Sequence, residues 1–175
     1  MRAPELLRTL DKWDRYGLWA FDLPRLKMIF DGNEASLLTA LMRHVKAGII
    51  IRVSRGIYVN SRARSLPAEP LLALVSLMRP YEFSYLSLES VLSDAGWISQ
   101  VPFRYTVMTT GRSGVFHTAY GVLEFTHTTN PAKAPDVEFM RSRDIYAATP
   151  ERAYRDLRHV GRNLDLVKVL KEETS

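Results

Sequence analysis

The sequence contains no cysteine, which excludes disulfides and thiolate chemistry. It has no apolar run near the ~20 residues that a bilayer-spanning helix needs. The opening MRAPELLRTLDKWDR is charged throughout and lacks the apolar segment of a secretory signal, so a cytoplasmic protein is expected. Several catalytic patterns are begun and not completed. TGRSG at Thr110 to Gly114 is a turn without the Lys-Ser/Thr of a phosphate-cradling loop. PDVEF at Pro135 to Phe139 opens like a nuclease centre, but no Glu-x-Lys follows to assist a Mg²⁺. No Ser/His/Asp set and no converging metal-ligand set is evident. His117 and His127 fall on neighbouring predicted strands. Only His127-Thr128-Thr129 has the full His-x-Thr pattern of a phosphoesterase, because His117-Thr118-Ala119 lacks the second hydroxyl. A nucleic-acid-processing enzyme using these histidines is the surviving catalytic reading. The expectation is a non-enzyme with no cofactor and no metal.

What is present is an ordinary globular composition of 175 residues, 46% hydrophobic and 25% charged. The charge is unevenly placed. Residues 1 to 65 carry 12 Lys+Arg against 6 Asp+Glu, and the remainder 12 against 13, so the +5 excess belongs to the first third. A basic module beside a near-neutral body points to a polyanion-binding head, with plain solubility as the alternative reading.

Periodicity gives the order of elements. Leu6, Leu7, Leu10 and Trp13 mark a helix over Pro4 to Tyr16. Asp22 is placed to cap a short helix through Ile29, and Asn33 to cap a third running to about Ala47. On that third helix Leu37, Leu38, Leu41, Met42 and Val45 fall together, while Ser36, Thr39, Ala40, Arg43 and Ala47 take the other side. GIIIRVSRGIYVN, Gly48 to Asn60, reads as a hairpin whose Ser54-Arg55-Gly56 loop uses a left-handed glycine. In that register Val53 faces Ile57 and Ile51 faces Val59 on an inner face, and Arg52 pairs with Tyr58 outside.

Ser61 to Pro70 reads as a linker, dividing a domain over residues 1–62 from one over 68–175. The second part offers a helix at Leu71 to Met78, a strand near Glu82 to Tyr85, and a helix at Leu88 to Ala95. The strands FRYTVMT, GVFHTAY and GVLEFTHT follow, then a strand at Asp144 to Ala148. Thr149-Pro150 starts a helix from Glu151 to about Val160. The tail has helical spacing at Leu164, Val167 and Leu170.

Three helices followed by an arginine-bearing hairpin is the order of a winged helix-turn-helix, in which the third helix enters a major groove and the hairpin lies on the backbone or the next minor groove. The expected fold class is therefore α+β, an N-terminal winged helix-turn-helix followed by a mixed α/β C-terminal domain. Ser36, Thr39 and Arg43 are the base-edge candidates, and His44, Lys46, Arg52, Arg55 and Tyr58 complete the DNA-facing set, with Arg25 and Lys27 as lesser backbone candidates. The competing reading is a surface hairpin whose arginines only guard an edge strand.

Three stretches carry a resemblance to a known family. LMRHVKAGIIIRVSRGIYV has a helix-to-wing run with a comparable glycine, aliphatics, arginine and Gly-aliphatic-Tyr. YLSLESVLSDAGWIS and ATPERAYRDL follow in the same order, the latter matching an Ala-Thr-x-Glu-Arg-Ala-x-x-Asp pattern. In this order they resemble the AbiEi antitoxins of type IV toxin–antitoxin, or abortive-infection, phage-defence systems. The resemblance implies an autorepressor acting at inverted repeats on its own promoter, with possible self-association on the DNA. It implies a C-terminal domain that counteracts a nucleotidyltransferase-like toxin without needing a stable complex. One departure is length, since 19 residues follow Asp156 and many members continue further. Glu151, Arg152, Arg155 and Asp156 have i,i+4 spacings, which suit either a charged helix face or an antitoxin surface. The alternative overall is a stand-alone winged-helix regulator with a protein-binding C-terminal domain.

Overall fold

A computed structural model describes residues 1–168; Leu170 of the tail lies outside them. The chain is mixed α+β and divides into two compact units, Met1–Pro70 and Leu71–Ser175. The first unit holds 12 Lys+Arg against 7 Asp+Glu and the second 12 against 12, so the net charge of +5 resides in the first.

The first unit starts with α1 (Ala3–Asp14), where Pro4 sits in the first turn and the Arg2 N–H donates to Glu5 at 3.2 Å. Leu6 and Leu10, four residues apart, are buried. A short strand β1 (Ala20–Asp22) follows, too brief to leave a periodic signal. Asp22 then caps α2 (Leu23–Ile29) by accepting from the Arg25 N–H at 2.9 Å. Asn33 caps α3 (Glu34–Lys46) through the Ala35 N–H at 2.7 Å. Strands β2 (Ile51–Ser54) and β3 (Ile57–Val59) close the unit, and the sheet order is β1-β3-β2, antiparallel throughout.

The hairpin register differs from the expected one. Arg52 faces Tyr58 and Ile51 faces Val59 as anticipated, but Ser54 faces Ile57, leaving Val53 as the extra residue of a bulge. The turn is then the pair Arg55-Gly56, with Gly56 at φ +76°. The faces are also reversed. Tyr58 and its other neighbour, Phe21, belong to the core with Leu6, Leu10, Leu26, Leu37 and Leu41. The helices pack on the Tyr58 face of the sheet, not on the Ile51–Val59 face.

Ser61 to Pro70 is not a free linker over its first half. Asp14 at the end of α1 accepts from the N–H groups of Arg64 (2.8 Å) and Ser65 (3.0 Å) and from the Ser65 hydroxyl (2.6 Å). These bonds, the hydroxyl first, hold the Asp14 carboxyl below its usual pKa range. The segment is thereby strapped to α1.

The second unit builds a six-stranded mixed sheet in the order β6-β7-β5-β4-β9-β8. These strands are β4 (Ser84–Leu86), β5 (Arg104–Thr109), β6 (Gly114–Thr118), β7 (Gly121–His127), β8 (Val137–Met140) and β9 (Ile145–Ala148). The expected helix at Leu71 to Met78 is two short pieces, α4 (Pro70–Ala73) and α5 (Val75–Met78). Strand β8, which the sequence reading does not anticipate, takes Val137, Glu138 and Phe139 of PDVEF together with Met140. Helices α6 (Leu88–Asp94) and α7 (Pro150–Val160) pack on each other, and Thr149 caps α7 by accepting from the Arg152 N–H at 3.2 Å. Gly161, at φ +74°, ends α7 in a left-handed conformation. The core gathers Tyr85, Leu86, Leu92, Val107, Phe125, Ala153 and Leu157.

Candidate functional site

Helix α3 buries Leu37, Ala40, Leu41 and His44. Its exposed stripe is Ser36, Thr39, Arg43 and Lys46, at the i, i+3, i+7, i+10 spacing of one helix face. Two boundary residues change sides from expectation. Ala40 is buried, and Met42 is about half exposed, at 51%, beside Arg43. The Thr39 hydroxyl donates back to the Ala35 carbonyl at 2.8 Å, and Arg43 donates to the Met1 carbonyl at 2.8 Å. The first is local and the second reaches 42 residues back along the chain, and each is a single bond on an exposed side chain.

The cations of this unit divide into paired and unpaired groups. Lys27 pairs with Glu34 at 2.7 Å, Arg25 lies 3.9 Å from Asp22, and Arg62 lies 3.5 Å from Asp11. Lys46, Arg52 and Arg55 have no hydrogen-bond or ion-pair partner among the described residues. Arg52 stands opposite Tyr58, so it projects from the sheet face on which the helices pack, at the β2 edge. Lys46 ends α3 just before the turn into that strand. Desolvating free guanidinium and ammonium groups against phosphate breaks no internal pair, which lowers the cost of binding a polyanion.

Two residues of the expected DNA-facing set are misplaced in that role. His44 is 3% exposed, because it continues the Leu37–Leu41 face by three residues. Tyr58 is also 3% exposed, because it lies on the sheet face that packs against the helices, with Leu6, Leu10, Leu26, Leu37 and Leu41. Neither reaches solvent. The His44 Nε2 is buried with no partner, a cost that an apolar side chain of similar size removes. His44→Leu is therefore expected to be neutral or to stabilise by up to about 1 kcal/mol. Chemical denaturation of the two proteins measures this, and a loss of stability would show that the imidazole is paired.

In the second unit, α7 separates the four residues of the expected antitoxin surface. Glu151 and Arg155 are exposed, and Arg155 reaches Asp136 at 2.5 Å. Asp156 is not on the surface. It is 4% exposed and accepts from Ser87 (2.8 Å), Tyr85 (3.0 Å) and Arg152 Nε (2.9 Å). Arg152 donates further to the Asn130 carbonyl at 2.6 Å and is largely covered. The reason is helical geometry: Ala153, Asp156 and Leu157 share the face that α7 turns to the core. Burial, with the Asp156 charge beside it, pushes the Tyr85 phenol up to about 12, so it remains a donor.

A second ionic cluster escaped sequence reasoning. Arg162 grips Glu89 with Nε to Oε1 at 2.7 Å and Nη2 to Oε2 at 2.9 Å, and it also contacts Glu124. Asn163 donates to Glu89 at 2.8 Å, and Arg104 Nε meets Glu124 at 2.7 Å. Leu88 (φ +57°) and Asn163 (φ +55°) are left-handed residues on either side of this pairing. Asparagine tolerates that conformation; a buried leucine does so only when its surroundings over-determine it. Glu89 lies inside YLSLES, but its partner is 73 residues away, so no local spacing announces it.

The histidine reading loses its geometry. His117 pairs across the sheet with Val122, five positions from His127 along β7, which is roughly 17 Å at strand spacing. His127 Nδ1 lies 2.7 Å from the Gly111 carbonyl. Among the described residues no group of three or more His, Cys, Asp or Glu could hold a metal ion, and no helix is long and apolar enough to cross a membrane. The chain matches no protein-family model and no curated protein.

Proposed function

We propose that the first unit is a winged helix-turn-helix that binds double-stranded DNA, within an AbiEi-like antitoxin that represses its own operon. The succession helix, strand, helix, helix, strand, strand with sheet order β1-β3-β2 supports this reading. The observation that carries it is the polar stripe Ser36–Thr39–Arg43–Lys46, with unpaired Arg52 and Arg55 on the hairpin that follows. The stripe suits a major groove, with Arg43 releasing Met1 to read a base edge. Arg55 at the turn suits phosphate.

Footprinting on the protein's own upstream region, across salt concentrations, tests it. Arg43→Ala is expected to cost about 1–3 kcal/mol on the operator and to relax sequence preference. Arg55→Ala is expected to weaken all duplexes alike and to lower the salt slope by about 0.9. Equal losses on operator and random duplex in both variants would refute the division of labour.

One observation favours a stand-alone regulator as the second reading. With Asp156 buried and Arg152 largely covered, only Glu151 and Arg155 of the four α7 residues remain open to a partner. Co-expression with a nucleotidyltransferase-like toxin encoded beside it separates the two. Restored growth supports the antitoxin; unrelieved toxicity with operator binding intact supports the regulator alone.

A further inference from the structure

Glu89, Arg104 and Asn163 of this cluster line a cavity of about 280 Å³, just below the ~300–1,000 Å³ typical of small-molecule sites. Ile98 and Leu166 supply apolar wall, and Val101 and Phe103 form the rim. These two rim residues are 88% and 79% exposed. An exposed phenylalanine at the mouth of a partly polar cavity is a surface awaiting a flat partner.

The polar groups facing the cavity have defined spare capacity. Glu89 Oε1 already accepts from Arg162 and Asn163, but Oε2 accepts from Arg162 alone, leaving a lone pair. The Asn163 side-chain carbonyl is a second acceptor with no partner among the described residues. Of the other polar lining groups, Thr106 is consumed by Ser87 and Ser90, while the exposed Gln100 amide adds a further donor and acceptor at the mouth. Arg104, also in the lining, spends Nε on Glu124 and keeps its terminal nitrogens unpaired among the described residues. Its guanidinium lies 5.1 Å from the Phe103 ring centroid.

Charge then narrows the ligand. Glu89, Glu124, Arg104 and Arg162 sum to zero, so neither a bare anion nor a bare cation gains net attraction. The second unit as a whole has no cationic excess to track a phosphate backbone. The complement is a neutral, planar molecule with a carbonyl at one edge for Arg104 and a ring N–H at another for Glu89 or Asn163. Its face would stack against Phe103.

We propose that this cavity binds a free nucleoside with a lactam-type base, of the guanine or uracil class. The rim aromatic supplies stacking, Arg104 reads the carbonyl, and the Glu89–Asn163 acceptors read the ring N–H. The bidentate Arg162 holds Glu89 in place as a positioning residue.

Isothermal titration of the full chain with guanosine and uridine tests the proposal. Saturable binding by at least one of them is expected. Methylating the lactam nitrogen, in 1-methylguanosine or 3-methyluridine, is expected to weaken binding by roughly 100-fold or more, because the acceptors are then left unpaired. Phe103→Ala is expected to weaken binding by roughly tenfold, with an unchanged thermal melt because the ring is exposed. Arg104→Lys keeps the charge against Glu124 but loses the fork, and is expected to lose a similar factor. Three results would overturn the proposal: no binding of either nucleoside, equal binding of the methylated forms, or full affinity in Phe103→Ala.

Discussion

Asp156→Ala is expected to cost the second unit about 3–5 kcal/mol, the cost of orphaning one member of a buried ion pair. The carboxylate satisfies the hydroxyls of Tyr85 and Ser87 and the guanidinium of Arg152 at once, all within 3.0 Å. Its removal leaves a largely covered cation held only by the Asn130 carbonyl and a phenol, and two buried donors facing a void. Asp156→Asn keeps an acceptor but loses the charge, and is expected to fall between, at about 1–3 kcal/mol. Chemical denaturation checks both values. The network also has a pH signature. Tyr85 is neutral up to about 12 in the folded chain but ionises near 10 when unfolded. Its contribution is therefore fully present below pH 10 and is lost as pH rises through about 12. In Asp156→Ala the neighbouring charge is gone, so this alkaline loss should shrink. A surface role for Asp156 would instead leave both stability and its alkaline limb unchanged.

The same residue shows what the sequence could and could not disclose. The cap at Thr149-Pro150 and the stop near Gly161 are local signals, and α7 begins and ends where they place it. Which side of α7 faces inward was also local information, since Ala153 and Leu157 bracket Asp156. What could not be read was the partner set: Ser87 and Tyr85 lie 69 and 71 residues away, across the sheet. The first unit repeats the lesson at shorter range. Leu37, Leu41 and His44 share one helical face, so the burial of His44 was legible from spacing and was masked only by its polarity. Tyr58 was different. In a two-stranded hairpin its alternation with Ile57 and Val59 puts it outside. The three residues of β1 add a third strand whose Phe21, opposite Tyr58, joins it in the core against the helices. Three residues carry no usable periodicity, and so the face assignment of the whole hairpin turned on an element too short to see. Strand β8 was missed for a related reason, since Val137 to Met140 alternates weakly beside two prolines.

Arg162→Ala is expected to cost about 3–5 kcal/mol at neutral pH, with a pH dependence opposite to that of the parent. Burial works to raise the Glu89 carboxyl, but the bonds from Arg162, from a backbone N–H and from Asn163 outweigh it and hold the group below its ordinary value of 4.5. In the parent this contribution is present above pH 4.5 and is lost as pH falls through the lowered folded value. In the variant, Arg104 still neutralises Glu124, so the uncompensated charge is that of Glu89. Burial is then opposed only by a backbone bond and by Asn163, so the folded carboxyl moves up and protonation relieves the strain. The variant should therefore be least stable near pH 7 and recover part of its loss as pH falls toward about 5. The double variant Glu89→Gln/Arg162→Met removes both charges and should recover much of the deficit, since replacing a buried pair is far less costly than breaking it. Denaturation at two pH values decides the matter. A deficit that is constant with pH, or a double variant no better than the single, would mean that Arg162 acts through packing and that Glu89 carries no buried charge.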